Sequence, residues 1–387
     1  MIRKLEKYKF FSLIVALTLL VGCREEFNPN IAPTDTNLLV VEGYISTNSQ
    51  KSTINLSRTS SLVESFLPVE TGAIVILNGE NSGTWNFIEE IPGQYTLTAD
   101  LPMNQAYRLS IQLRNNEGYI SDLMQPIVSP EISKLKYVKN DSGVSVQVDL
   151  QGNEEATFFL WQYEEDWIFR SAIGTNYIYN RATGEIEETT PETTISRCFA
   201  NNKVQRISIE NSGRFNNFNI SDKEITLIPN LSEKLAVRYS ILVKQVAIGR
   251  EAFDFWEIMR KNSEDIGGIF SPLPSLIGGN ISKVGSENEK AIGYVSMGVI
   301  SESRMYINNQ DVSPWQVFIP EYEGCTARLD TIRPNRYAEV FGQGNLMPVN
   351  PIFNDVNILP VAFRSAPAFC VDCTLRGTKA EPSFWEN

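Results

Sequence analysis

The sequence predicts a mainly β fold: a β-sandwich over residues 37–130, then a larger β-rich region over 131–387 that carries one amphipathic helix at 251–263. Three observations predict it. Apolar residues alternate with polar ones with a period of two in many short runs, the pattern of strands with one buried face. Gly, Asn and Pro punctuate those runs at hairpin-like intervals. Only one segment shows clear helical spacing.

The first element is not part of that fold. Arg3, Lys4, Lys7 and Lys9 precede an apolar run from Phe10 to Val21. That run is too short for the roughly 20 residues of a membrane-spanning helix, but it suits the h-region of an export signal. Leu20-Val21-Gly22-Cys23 closes it and resembles a bacterial lipobox, in which Cys23 is acylated and becomes the mature amino terminus. The expectation is a signal peptide at 1–22, a lipidated tether at 23–36 and a place in the outer membrane. Arg24-Glu25-Glu26 resembles a short acidic tag for surface export, and Asn28, Pro29, Asn30, Pro33 and Asp35 read as flexible chain.

Strands are expected at Leu39 to Ile45, Ser52 to Arg58, Ala73 to Leu77 and Gln94 to Ala99, with Asn78-Gly79 as a hairpin turn. Tyr107, Leu109, Ile111 and Leu113 alternate with polar partners, and Asn115-Asn116-Glu117-Gly118 turns the chain into Tyr119-Ile120. Such a series over some 90 residues suggests a small β-sandwich. Pro126 and Pro130 bracket a domain boundary. Beyond it, Val144, Val146, Val148 and Leu150 share one face, and Phe159, Trp161 and Tyr163 share another. These two runs read as paired strands. Residues 171–194 read as a long exposed hairpin or loop, and Ala236 to Ile248 as a further strand with Val237, Tyr239, Ile241 and Val243 on one face.

In the helix, Ala252, Phe255, Trp256 and Met259 form a stripe suited to packing on a sheet, and Glu251, Asp254 and Glu257 crowd its amino-terminal half. Gly267, Gly268, Pro272, Pro274, Gly278 and Gly279 then make a Gly/Pro-rich loop, longer than a simple connection and a candidate partner-binding element.

Composition narrows the chemistry. The chain has 34 Lys and Arg against 46 Asp and Glu, a net charge of −12. Removing Met1 to Gly22 takes four basic residues and one acidic residue away, leaving 30 against 45. That sign disfavours nucleic acid and polybasic membrane docking. There is no histidine, so Ser-His-Asp and Cys-His nucleophiles and His-ligated zinc sites cannot be assembled. Carboxylate runs such as Glu164-Glu165-Asp166 and Glu187-Glu188 read as solvated faces. The expectation is a non-enzymatic protein with no cofactor and no metal. Cys198, Cys325, Cys370 and Cys373 are an even set, which in an exported protein favours disulfides; three pairings are open, including closure of Cys370 on Cys373.

Several motifs together resemble a known family. They are Tyr239-Ser240-Ile241-Leu242-Val243-Lys244-Gln245, Phe255-Trp256, Asn262-Ser263-Glu264, Gly268-Ile269-Phe270, Pro272, Pro274-Ser275, Gly279-Asn280-Ile281 and Ile292-Gly293-Tyr294. Cys370-Val371-Asp372-Cys373-Thr374-Leu375-Arg376-Gly377 and Pro382-Ser383-Phe384-Trp385 add a carboxyl-terminal signature. The chain resembles the Bacteroidota outer-membrane lipoproteins labelled domain of unknown function 4249. Ser271 stands where that pattern has aspartate, Leu273 where it has glutamine, and the segment after Gly377 is shorter. The resemblance implies an immunoglobulin-like (carboxypeptidase-regulatory-like) amino-terminal domain and genes often adjacent to a TonB-dependent receptor. It supplies no catalytic residues. The expected function is therefore a surface-exposed lipoprotein that partners such a receptor. A structural or adhesive envelope protein with no small ligand and a carboxylate-dependent glycan hydrolase are the alternatives.

If lipid on Cys23 is the anchor, the Cys23→Ala protein leaves the outer-membrane fraction or is misplaced within the envelope. Its retention in that fraction through a high-salt wash contradicts lipid anchoring.

Overall fold

A computed structural model describes residues 37–60, 68–264, 279–356 and 358–386. The segment 1–36, with Cys23, and five of the six Gly/Pro-loop positions, Gly267, Gly268, Pro272, Pro274 and Gly278, lie outside the described residues. The protein is mainly β, with several sheets and few helices. Strands β1 (Leu39–Ser46), β2 (Asn48–Arg58), β3 (Ile74–Gly79), β4 (Thr84–Asn86), β5 (Ile88–Ile91), β6 (Gln94–Asp100), β7 (Tyr107–Gln112), β8 (Gly118–Ser121) and β9 (Ile127–Val128) come first. Next are β10 (Ile132–Asn140), β11 (Gly143–Gln151), β12 (Phe158–Arg170), β13 (Tyr177–Asn180), β14 (Glu185–Glu188), β15 (Arg197–Asn211), β16 (Asn219–Pro229) and β17 (Arg238–Ile248). Helix Arg250–Glu264 is followed by β18 (Ile281–Lys283), β19 (Ser286–Lys290), β20 (Val295–Asn308), β21 (Leu346–Ile352) and β22 (Ala362–Pro367).

One sheet runs β15-β12-β17-β20-β1-β2-β6-β5 and spans the molecule. The strand shared by its two parts is β20. Residues Val295 to Gly298 lie parallel to Gly43 to Ser46, and Ile300 to Asn308 pair antiparallel with β17. On the amino-terminal side, Leu39, Val41, Ile45, Ile54, Leu56 and Tyr95 meet Val75, Leu77, Tyr107, Leu109 and Ile111 of the sheet β19-β18-β8-β7-β3-β4. Ile281, Val295 and Met297 complete this core. A boundary at residue 130 therefore cuts a core that a segment about 150 residues further on finishes. Alternation identifies a buried face, not the strand that covers it. Asn78-Gly79 also differs from expectation: both residues are the last of β3, and the turn into β4 runs from Glu80 to Gly83.

Glu117 fastens the late segment to the early one. Lys283 Nζ of β18 lies 2.8 Å from its carboxylate, and Arg58 of β2 lies 3.4 Å away. The hydrogen bond from Lys283, then those from Asn115 and Arg58, hold the Glu117 carboxyl at about 2.

The second core lies between β15-β12-β17-β20 and the separate sheet β10-β11-β16. Val144, Val146, Val148 and Leu150 of β11 face Phe159, Trp161, Tyr163, Tyr239, Ile241 and Val243. Each such side chain contributes about 1.5–3 kcal/mol when fully buried. The expected pairing of the 144–150 and 157–163 runs is thus corrected. β11 pairs with β10 and β16, β12 pairs with β15 and β17, and the two runs meet face to face across the core.

The other face of β15-β12-β17-β20 has three zones. At one end Phe158, Leu160, Ile207, Ile209, Val246, Ile248 and Ile300 are apolar, and the helix covers them with Ala252, Phe253 and Trp256. Phe255 is buried beside Trp256 and Tyr294, while Trp256 itself is only half-buried. At the far end Ile168, Phe199, Val237 and Tyr306 are covered by Trp385 of the carboxyl-terminal tail. Between them the face is charged.

Residues 171–194 do contain a hairpin, β13–β14, but it is not simply exposed. Tyr177, Tyr179 and Ile186 pack on Ile332, Tyr337, Phe341 and Phe363. The Thr175 hydroxyl donates to Pro348 O at 2.8 Å.

A carboxylate held below its unfolded value stabilises the fold fully above that value and loses the contribution as the proton returns. Melting temperature falls as pH drops from the ordinary 4.5 of Glu117 through about 2. Glu117→Gln makes that acid limb shallower, and an unchanged limb in thermal melts contradicts the staple.

Candidate functional site

Strand register builds the charged zone row by row. Lys203, Glu164, Leu242 and Arg304 stand side by side across β15, β12, β17 and β20. The next row is Asn201, Asp166, Ser240 and Tyr306. Lys244 Nζ lies 3.0 Å from Glu164, and Arg304 lies 3.9 Å from Asp166 and donates to Ser240 Oγ at 2.8 Å. Burial pushes Asp166 above its ordinary value despite Arg304. Burial also acts to raise Glu164, but the hydrogen bond and charge of Lys244 outweigh it and leave that carboxyl lowered.

Two carboxylates with oppositely shifted values are the raw material of acid–base catalysis. In glycoside cleavage the two groups flank the scissile bond. Glu164 and Asp166 are next-neighbours on one face of one strand, so they point the same way about 7 Å apart. Each also has a cationic neighbour. The zone is a self-neutralised floor.

The middle member of the run behaves differently. Glu165 is 1% exposed, pointing into the second core between Tyr163 and Trp167. Tyr239 Oη donates to it at 2.7 Å, Lys234 Nζ lies 2.6 Å away and Asn202 Nδ2 donates at 3.3 Å. Burial and the charge of Glu165 hold the Tyr239 phenol well above its ordinary value. Reading Glu164-Glu165-Asp166 as one solvated face is corrected, and the signal was available. In Phe159-Trp161-Tyr163-Glu165-Trp167-Phe169 the glutamate occupies an inward position. Neighbouring Glu233 binds Arg376 at 3.0 Å, and Arg376 lies over Phe169 and Tyr322. This polar cluster fastens the tail to the sheet.

One of the two disulfides does the same covalently, and the other braces the carboxyl-terminal segment itself. Cys198 is bonded to Cys373 across 175 residues, and Cys325 to Cys370 across 45. The Cys370–Cys373 closure left open by the sequence does not occur. Thr378 and Phe199 exchange backbone hydrogen bonds at 2.7 and 2.9 Å, continuing the fastening along β15. Gly279, the one described member of the Gly/Pro loop, is buried rather than offered to a partner. A Cβ on it would sit 1.4 Å from Gly293 O, so the glycine permits close backbone contact. Among the described residues no group of three or more His, Cys, Asp or Glu is placed to hold a metal ion, and no helix is long and apolar enough to cross a membrane.

Residues 24–304 match the family model described as a domain of unknown function (DUF4249), and the chain belongs to that family. No curated protein matches the chain.

Removing either disulfide costs about 2–4 kcal/mol, mainly by freeing the unfolded chain. Mass analysis of the exported protein lacking Cys23 yields no alkylation before reduction and four alkyl groups after it. Four groups taken up without reduction contradict both bonds.

Proposed function

We propose that this protein is an outer-membrane lipoprotein, tethered through Cys23 and facing the cell exterior, that serves as a binding or accessory partner of a TonB-dependent receptor. The observation that carries this reading is Leu20-Val21-Gly22-Cys23 at the end of a short apolar run with a basic start. The two disulfides support it, because such bonds persist in oxidising compartments outside the cytoplasm. The receptor half of the reading rests on the family resemblance, whose members are often encoded beside such receptors. A tether over residues 24–36 reaches about 20 Å as a flexible coil, which keeps the folded body beside outer-membrane barrels.

An adhesive or structural envelope protein is the principal competitor. The glycan-hydrolase alternative loses ground to the parallel, ion-paired arrangement of Glu164 and Asp166.

Affinity purification of the tagged lipoprotein from detergent-solubilised outer membrane, read by mass spectrometry, tests the proposal. A TonB-dependent receptor recovered in near-equal amount is the expected result. Repeated stringent purifications that yield no outer-membrane barrel overturn the receptor reading and favour the adhesive one.

A further inference from the structure

Glu165 stands between an amine and a carboxamide. It lies directly opposite Asn202 in the pairing of β12 with β15, and Asn202 Nδ2 donates to its Oε2 at 3.3 Å. Lys234 Nζ donates to the same oxygen at 2.6 Å, so the two nitrogen groups are neighbours across a single atom. The other oxygen, Oε1, accepts from the Tyr239 hydroxyl at 2.7 Å. An ion pair by itself needs only the lysine. A carboxylate that touches both a nucleophile and the leaving nitrogen of an amide is placed to shuttle protons between them.

The surroundings suit that chemistry. Glu165 is 1% exposed among buried Tyr163, Trp167 and Tyr239, and Nζ lies 5.4 Å from the centre of the Trp167 ring. A site so poor in water favours passing a proton from Nζ to Oε2, which leaves a neutral amine beside a neutral acid in place of two charges. The neutral amine is the nucleophilic form. Both reacting residues are fixed at their backbones. Asn202 belongs to the β12–β15 ladder, and Lys234 to the single-turn helix Glu233–Leu235, whose Leu235 is fully buried. Holding the reactants in this way replaces a chance encounter with an intramolecular step. Asn202 is exposed on an edge strand, which gives a small leaving group a route to solvent.

We propose that Lys234 and Asn202 form an intramolecular amide cross-link, with Glu165 as its catalytic residue. The Nζ lone pair attacks Cγ of Asn202 and forms the Nζ–Cγ bond. Glu165 carries to Nδ2, in turn, the two protons that Nζ gives up. The Cγ–Nδ2 bond breaks with its electron pair going to nitrogen, and ammonium departs. Glu165 ends as the carboxylate it began as, and neither an oxidant nor a second substrate is consumed. Tyr239 positions the carboxylate through Oε1. The bond joins β15 to the connection between β16 and β17. Cys198, bonded to Cys373, is four residues from Asn202, and Glu233, which binds Arg376, is next to Lys234. The cross-link thereby closes a ring of fastenings around the carboxyl-terminal tail.

Peptide mass mapping of the full-length protein, reduced, alkylated and cut with trypsin, tests the bond. Trypsin does not cut after an acylated lysine. The expected product is residues 198–203 joined to residues 224–238, lighter by one ammonia than the two peptides together. In Lys234→Arg, which keeps a cation beside Glu165, and in Glu165→Gln, which removes the shuttle, the two peptides are recovered apart. Native protein that yields only separate peptides overturns the proposal, whatever the variants do, and leaves the cluster an ion pair. Lys234 found joined to Glu165, with loss of one water, overturns it as well. A link to Asn202 that persists in Glu165→Gln overturns the catalytic role of Glu165.

Discussion

Along β20 the hydrogen-bonding neighbour changes from β1 to β17 between Gly298 and Ile300, and this handover joins two cores into one sheet. Gly298 stands at the change, where a Cβ would fall 1.9 Å from Ile127 O of β9. The first core needs β20 for Val295 and Met297, and the second needs it for Ile307. Neither core closes without residues from the same strand. Tyr44 and Tyr294 of the first half also pack with Val246 and Phe253 under the helix, so motion between the two halves has to separate packed side chains as well as bend β20, unlike the usual relation between domains in one chain.

Beyond that sheet the chain depends less on regular structure. Among the described residues, 309–386 hold one two-stranded sheet and several short helices, so few backbone groups there are satisfied by ladders. Fastening is local and varied. Cys198–Cys373 and Glu233–Arg376 tie the tail to the side of the second core, Cys325–Cys370 braces the segment internally, and Arg304 over Phe384 at 3.6 Å with the Tyr306 hydroxyl donating to Phe384 O at 2.6 Å holds its end on the outer face. Buried Glu165 belongs to the same system. It is compensated by a phenol, an ammonium and an amide, without which burying its charge would cost several kcal/mol.

Much of the β content was legible because a half-buried strand writes its burial into alternate residues. Tyr107 to Leu113, Val144 to Leu150 and Tyr239 to Val243 show this, although Val237, expected on the same face, precedes β17 and packs on the opposite side with Trp385, and the stripe of Ala252 and Phe255 does the same for the helix. What alternation does not encode is the identity of the neighbour. The β1–β20 pairing, the placement of β11 opposite β12 rather than beside it, and the return of Ile281 to the first core are all long-range choices. Gly279 misled, as glycine serves both open loops and close backbone contacts.

The claim on which the rest turns is that β20 makes the two cores one cooperative unit. Native-state hydrogen exchange along that strand measures it directly. The account predicts that amides of Val295 to Gly298, beside β1, and of Ser303 to Asn308, beside β17, open with the same free energy in a single global event. Two separated plateaus, with one group exchanging while the other stays protected, would contradict it.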